Sequence, residues 1–417
     1  MEMHDNSEKI QRALLVGIDT GEYDAENSID ELYELVRSAG AEPVASVMQK
    51  REKPDGATCI GSGRLEEIRD FCSQNEIDFI VFDTELTPTQ IRNIEAETDI
   101  RTIDRTMLIL DIFAIRAKTN EGKLQVELAQ LKYLMPRLSG KGKEMSRLGG
   151  GVGTRGPGET KLETDKRHIR RKIEYLKEEL ERMTNRREQL RARRKKDGVI
   201  TVAIVGYTNA GKSTLMNTLT QAGVLSENKL FATLDPTSRA LKLPNGVSVM
   251  LIDTVGLVRR LPHHLVEAFK STLEEAALAD IILNVCDASS KEFELHLDVT
   301  NKLLTELGCS DRPIISVFNK CDLVGNPNDL PMGRDTVRIC AKMGIGTEEL
   351  LNAIEKNLPV RLMRFNLLIP FDKASVIATL RNAGALQSEE YTADGIKIEA
   401  IVEEPLWHLV EPYNTIF

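Results

Sequence analysis

The segment that most constrains this chain is G-Y-T-N-A-G-K-S at 206–213. It follows the apolar run T-V-A-I-V (201–205) and opens a helix-forming stretch, Ser213–Thr220. Strand, glycine-bearing loop and helix in that order make a phosphate cradle, because backbone N–H groups and a helix N-terminus converge on one anion. Gly206, Tyr207, Thr208, Asn209, Ala210, Gly211, Lys212 and Ser213 are therefore candidate nucleotide-binding residues. Lys212 would reach the β- and γ-phosphates, and the Ser213 hydroxyl would sit on Mg2+. The string alone can arise by chance. Ordered motifs further along make chance a poor account of it.

At 250–256 stands M-L-I-D-T-V-G. Asp253 would end a strand within reach of the metal through water, and the Gly256 N–H would meet a γ-phosphate, with Thr254 and Val255 between them. The loop F-A-T-L-D-P-T spans 231–237 and brings Phe231, Ala232, Thr233, Leu234 and Asp235 into the candidate set. Thr233 is the expected second hydroxyl on Mg2+, with Thr237 as runner-up. Such a loop, ordered by the γ-phosphate and released after hydrolysis, is a switch. The expected catalytic set is thus Lys212, Thr233, Asp253 and Gly256.

Base choice is carried by N-K-C-D at 319–322, behind the strand P-I-I-S-V-F. Asp322 can accept from guanine N1–H and N2–H2, which adenine cannot offer. Asn319 can hold its loop against the phosphate loop, Lys320 can lie along the base, and Cys321 is carried between them. Cys340, Ala341 and Lys342, after another strand, can present backbone N–H groups to guanine O6. Four ordered motifs on four strand ends argue for GTP and Mg2+ and against a generic ATPase. Leu257 follows Gly256, where many GTPases place a glutamine that orients the attacking water. Leucine cannot hydrogen-bond water, so intrinsic hydrolysis should be slow, and Leu257→Ala should leave it nearly intact.

Charge supplies the second constraint. The chain has 417 residues and a net charge of −9, which by itself argues against nucleic acid. Yet residues 137–196 hold 12 Arg and 8 Lys against 8 Glu and 1 Asp, a local balance of +11 that leaves −20 elsewhere. Leu124, Leu128, Leu131, Met135 and Leu138 form one helical stripe; Leu162, Ile169, Ile173, Leu176, Leu180, Met183 and Leu190 form a longer one. Two such helices predict an antiparallel hairpin, the longer arm reaching roughly 50 Å at about 1.5 Å per residue. Between them lie eight glycines within 140–158, interleaved with Lys141, Lys143, Arg147 and Arg155. A bare linker would need no cations, so these four are candidate RNA contacts at a hairpin tip.

The remaining pattern predicts an α/β protein. Residues 1–122 alternate short apolar strands with amphipathic helices, which implies a small parallel α/β domain. The basic hairpin with its Gly-rich loop takes 123–197, a doubly wound P-loop GTPase domain 198–360, and a small α+β domain 361–417. The G-S-G-R at 61–64 reads as a turn before a helix, since its flanks do not match a dinucleotide fingerprint. No apolar run reaches the roughly 18 residues of a membrane span, and the six cysteines are scattered without a C-x-x-C pair. A cytoplasmic protein without membrane insertion is expected, and nothing demands more than a monomer.

At this point the chain resembles the HflX family of translational GTPases over most of its length. The segment G-V-G-T-R-G-P-G-E-T-K-L-E-T-D (151–165), the phosphate loop and F-A-T-L-D-P-T carry the likeness. The resemblance implies an amino-terminal family domain, a helical hairpin, a G domain and, in some members, a small carboxy-terminal domain. It further implies binding to the large ribosomal subunit, ribosome-stimulated GTP hydrolysis and splitting of stalled or idle 70S particles, with the glycine-rich tip approaching ribosomal RNA. Leucine at 257 fits the family. Cys340 stands where relatives usually carry serine, which puts only a side-chain role in doubt; Arg64 stands where lysine is expected. Three alternatives remain open on the sequence: a GTPase of large-subunit assembly, a signalling or trafficking switch with a protein partner, and an RNA-remodelling NTPase.

Overall fold

The computed structural model describes residues 10–138, 161–196, 199–220, 230–231, 237–259, 275–309, 311–326, 330–331, 333–359, 362–383 and 385–415. They form two compact units. One comprises the described residues up to 189 with 230–231 and 258–259; the other comprises those of 190–220, 237–257 and 275–415.

In the first unit, β1 (Arg12–Asp19), β2 (Glu42–Lys50), β3 (Phe79–Phe82) and β4 (Arg101–Asp104) make a parallel sheet in the order β2-β1-β3-β4. The apolar runs of β1 and β3 are buried on both faces, as parallel strands covered by helices must be. The half-exposed β2 escapes a reading based on apolar runs, because it is an edge strand that carries Pro43 and has its apolar residues broken by Ser46. Local caps fix the helices α1 (Ala25–Ser38), α2 (Ser62–Gln74), α3 (Pro88–Thr98) and α4 (Arg105–Arg116). The Asp24 carboxylate accepts from Asn27 N (3.0 Å), and the Asp104 carboxylate from Met107 N (2.9 Å). Thr87 and Gln90 form a reciprocal capping box ahead of Pro88. Arg105, fully buried, donates to Asp83 (2.7 Å) and pairs with Glu31.

The expected hairpin is present as α5 (Asn120–Arg137) and α6 (Lys161–Lys196). Leu128, Ile173 and Leu176 bury their side chains in a seam flanked by Leu124, Leu131, Met135, Ile169 and Leu180. Ion pairs Lys172–Glu127 (3.2 Å) and Arg187–Glu121 (2.9 Å) run in antiparallel order. The candidate RNA contacts Lys141, Lys143, Arg147 and Arg155 lie outside the described residues.

In the second unit a six-stranded sheet has the order β10-β9-β8-β5-β7-β6, with β5 (Thr201–Gly206), β6 (Thr237–Lys242), β7 (Ser248–Asp253), β8 (Ile281–Asp287), β9 (Ile314–Asn319) and β10 (Thr336–Arg338). All neighbours are parallel except β6 against β7. Chain order reverses around β5, so a crevice opens at the carboxyl ends of the strands there. Beyond the helix Thr347–Lys356, strands β11 (Leu362–Ile369), β12 (Leu386–Thr392) and β13 (Gly395–Glu403) form an antiparallel sheet ordered β11-β13-β12. Trp407 closes that small core: its indole N–H donates to Val402 O (2.8 Å), and its ring meets Phe365 edge-on. The six cysteines are free, and burial pushes the Cys59 and Cys286 thiols up to about 12. Among the described residues no helix is long and apolar enough to cross a membrane.

Candidate nucleotide site

The phosphate loop lies at the carboxyl end of β5 and runs into the helix α7 (Lys212–Thr220). Asn209 takes a left-handed φ of 59°, which turns the loop back on itself. Gly211 (φ +93°) has to be glycine, because a Cβ there would collide with Asn319 Nδ2. Lys212 is buried and folds along the loop, donating to Gly206 O (3.1 Å) and Tyr207 O (2.8 Å). Burial pushes its ammonium down to about 8, against the opposing pull of the Asp253 carboxylate.

Asp253 ends β7, almost wholly buried, and accepts from the Ser213 hydroxyl at 2.8 Å. The two groups predicted to serve the metal, one directly and one through water, are thus neighbours. Gly256 packs tightly on the loop: a Cβ there would stand 2.7 Å from Thr208 Cγ2 and 3.0 Å from Lys212 Nζ. Leu257 is buried, 5% exposed, and its main chain is stitched to the loop on both sides. Its N–H donates to Gly206 O (3.2 Å), and its carbonyl accepts from Thr208 N–H (2.7 Å).

Asn319 is buried between two loops. Its Nδ2 donates to Ala210 O (2.8 Å) and its Oδ1 accepts from Ala341 N–H (2.9 Å), so one amide ties phosphate loop to base loop. Lys320, at a left-handed φ of 62°, pairs through Nζ with Asp287 at the end of β8 (2.6 Å). Cys321 Sγ donates to Phe318 O (3.2 Å). The buried Cys340 thiol is pushed up by burial and by its hydrogen bond to Asp322, the candidate guanine acceptor. Of the three candidate O6 donors, Cys340 N–H already meets Ile345 O (2.9 Å) and Ala341 N–H meets Asn319, which narrows the donor strip toward Lys342.

Thr254, buried, donates to Ile204 O (2.7 Å) and so joins β7 to β5, while Val255 is buried beside it. Thr237 opens β6 directly opposite Asp253 in the ladder. Ala232, Thr233, Leu234 and Asp235 lie outside the described residues. Phe231 belongs to the other unit, where its ring meets Phe113 edge-on at 4.6 Å. Two shaping residues were not anticipated. Asp287, the partner of Lys320, could have been found as the acidic end of an apolar strand. His296 stacks on Tyr207 with ring centroids 3.9 Å apart, and no sequence pattern marks it.

The arrangement fits a magnesium nucleotide. Ser213, directly, and Asp253, through water, would hold Mg2+ by the hard oxygens that it prefers. Among the described residues no cluster of three or more His, Cys, Asp or Glu side chains could hold a metal unaided. The Thr208 hydroxyl, also in the cradle, is buried and has no hydrogen-bond partner among the described residues. Held there, Mg2+ would supply positive charge against that of the phosphates.

Residues 26–114 match a family described as GTP-binding GTPase N-terminal, 116–194 a GTP-binding GTPase middle region, and 201–320 a 50S ribosome-binding GTPase. GTPase HflX of Lacrimispora saccharolytica is 50% identical over 403 residues, 95% of each chain. GTPase HflX of Escherichia coli is 39% identical, covering 94% of this chain and 93% of its own. A solved GTP-binding protein from the archaeon Sulfolobus solfataricus, in complex with GDP, covers 83% of this chain and 98% of its own at 26% identity, with a TM-score of 0.46.

Proposed function

The chain belongs to the HflX family of GTPases, and from that premise we propose that it binds the large ribosomal subunit and, in its GTP-bound state, splits stalled or idle 70S ribosomes. The observation that carries the reading is the joining of two parts. A G domain whose residues 201–320 match a 50S ribosome-binding GTPase follows directly on a long basic hairpin. The chain hydrolyses GTP with Mg2+; the reading adds what that hydrolysis controls. The acidic remainder of the protein repels RNA, so the +11 arm engages only where shape and charge both admit it. Ribosomal RNA is the polyanion of that size and shape in the cytoplasm, where we place the protein as a monomer.

The test is to mix the protein with large subunits and with 70S particles, following GTP turnover and sedimentation. GTP-dependent appearance of free subunits supports splitting. Stimulated turnover with large subunits but intact 70S particles would point to assembly instead, and no stimulation with no co-sedimentation would end the ribosome reading. The arm is tested separately: Arg147→Ala with Arg155→Ala should weaken co-sedimentation and flatten its salt dependence, leaving GTP affinity unchanged.

A further inference from the structure

A GTPase with leucine after the Gly256 position needs another group to hold the attacking water. The Leu257 side chain is buried and apolar, and its N–H is already engaged by the phosphate loop, so its side chain cannot hold the water as a glutamine would. Thr208 stands against it. Its N–H is the one that meets Leu257 O, and its Cα and Cγ2 line the face of Gly256 toward which Lys212 Nζ also points. Thr208 is 6% exposed, and its hydroxyl is buried with no hydrogen-bond partner among the described residues. A buried hydroxyl left so carries a desolvation penalty that packing alone does not offset. Valine would fill the same space without it.

We propose that the Thr208 hydroxyl replaces the missing glutamine as the group that positions the hydrolytic water. A glutamine amide would do this by accepting from water and donating to the γ-phosphate. One hydroxyl does both, having one donor and two acceptor lone pairs. In the step itself the water oxygen bonds to the γ-phosphorus. The bond from that phosphorus to the β–γ bridging oxygen breaks, its electron pair leaving with GDP, and the water proton passes to a γ-phosphate oxygen. Thr208 is unchanged at the end: it accepts a hydrogen bond from the water and donates its own to a γ-oxygen.

The experiment compares Thr208→Val with Thr208→Ser in the full chain, without ribosomes, so that it stands apart from any ribosomal role. Single-turnover GTP hydrolysis should fall on the order of 10–100-fold in T208V, as for loss of one preorganised hydrogen-bond partner. It should stay within about threefold of the parent in T208S. GDP affinity should hold within about twofold in both, while affinity for GDP with aluminium fluoride should fall only in T208V. Wild-type hydrolysis by T208V would overturn the proposal. So would loss of GDP affinity in step with turnover, which means the methyl and hydroxyl merely shape the loop. If T208V does not fold, Thr208→Ala against Thr208→Ser makes the same comparison, and the same two results decide it.

Discussion

Arg191 closes on Glu275 with two hydrogen bonds to a single carboxylate oxygen, from Nε at 3.2 Å and from Nη2 at 2.6 Å. Arg191 lies near the end of the long helix α6, and Glu275 resumes the described chain after residues 260–274. Both side chains are largely buried, so the pair is shielded from salt, unlike the exposed Lys172–Glu127 pair on the same helix. Arg191→Met should destabilise the second unit by about 2–4 kcal/mol in chemical denaturation, because Glu275 is left buried without its cation. A Glu275→Gln partner change should recover part of that loss, and a double-mutant cycle reads the coupling directly. Additive losses would mean that the pair contributes nothing as a pair.

Lys212 gives the site a pH dependence. Burial lowers its pKa to about 8, so the ammonium is charged at pH 7 and is lost as pH rises through that value. Phosphate binding needs the charged form and pulls its pKa back up. The dissociation constant for GDP should therefore be flat below pH 7.5 and rise about tenfold per pH unit above 8, as for uptake of one proton. Asp253 opposes the lowering, so Asp253→Asn should move the break to lower pH. Fluorescence titration of a labelled GDP from pH 6.5 to 9.5 checks both.

The sign for stability is the reverse. A lysine whose folded pKa lies below its unfolded value makes the folded state hold fewer protons between the two, so stability without nucleotide should rise with pH from about 8 toward the ordinary lysine value near 10.4.

Why some of this was legible and some not follows from where the information lies. Gly206–Ser213, Asp253, Gly256, Asn319 and Asp322 are local motifs on or just after strand ends, and the sheet order sets those ends side by side. The hairpin seam was equally plain, since Leu124–Met135 and Ile169–Leu180 repeat at helical spacing. Edge strands β2 and β6 were not, because a strand half in water does not need an apolar run. The stack of His296 on Tyr207 and the pairing of Lys320 with Asp287 join residues 89 and 33 positions apart through tertiary packing, which no local pattern encodes.

Arg105 anchors the first unit. It is 3% exposed, donates to Asp83 at 2.7 Å and to Glu31, and reaches the carbonyl of Arg259 at 3.4 Å. Asp83 also accepts from Ser28 Oγ at 2.6 Å, so the carboxylates are well satisfied only while the guanidinium is there. Arg105→Met should cost about 3–5 kcal/mol, the penalty for leaving buried carboxylate unpaired. Replacing all three charges together, Arg105→Met with Asp83→Asn and Glu31→Gln, should cost less than the single change. Urea denaturation of the parent and both variants decides this, and a triple variant worse than Arg105→Met would show that the single loss does not come from the unpaired carboxylates.

Base selection offers the sharpest test of the nucleotide site. As the candidate guanine acceptor, Asp322 would present two acceptors to N1–H and N2–H2, whereas an asparagine would present one acceptor and one donor. Xanthine keeps N1–H but carries an oxygen where guanine has its amino group, which makes asparagine its complement. Asp322→Asn should lower GDP affinity by about 1.5–3 kcal/mol, roughly 10- to 150-fold, through one lost charge-assisted hydrogen bond and one opposed pair of donors. Affinity for XDP should rise over the same comparison, so that the ratio of the two inverts. Cys340→Ser, which keeps a donor on Asp322, should leave guanine preference intact. Competition between GDP and XDP for a labelled nucleotide measures both variants, and an unchanged ratio in Asp322→Asn would remove Asp322 from the base site.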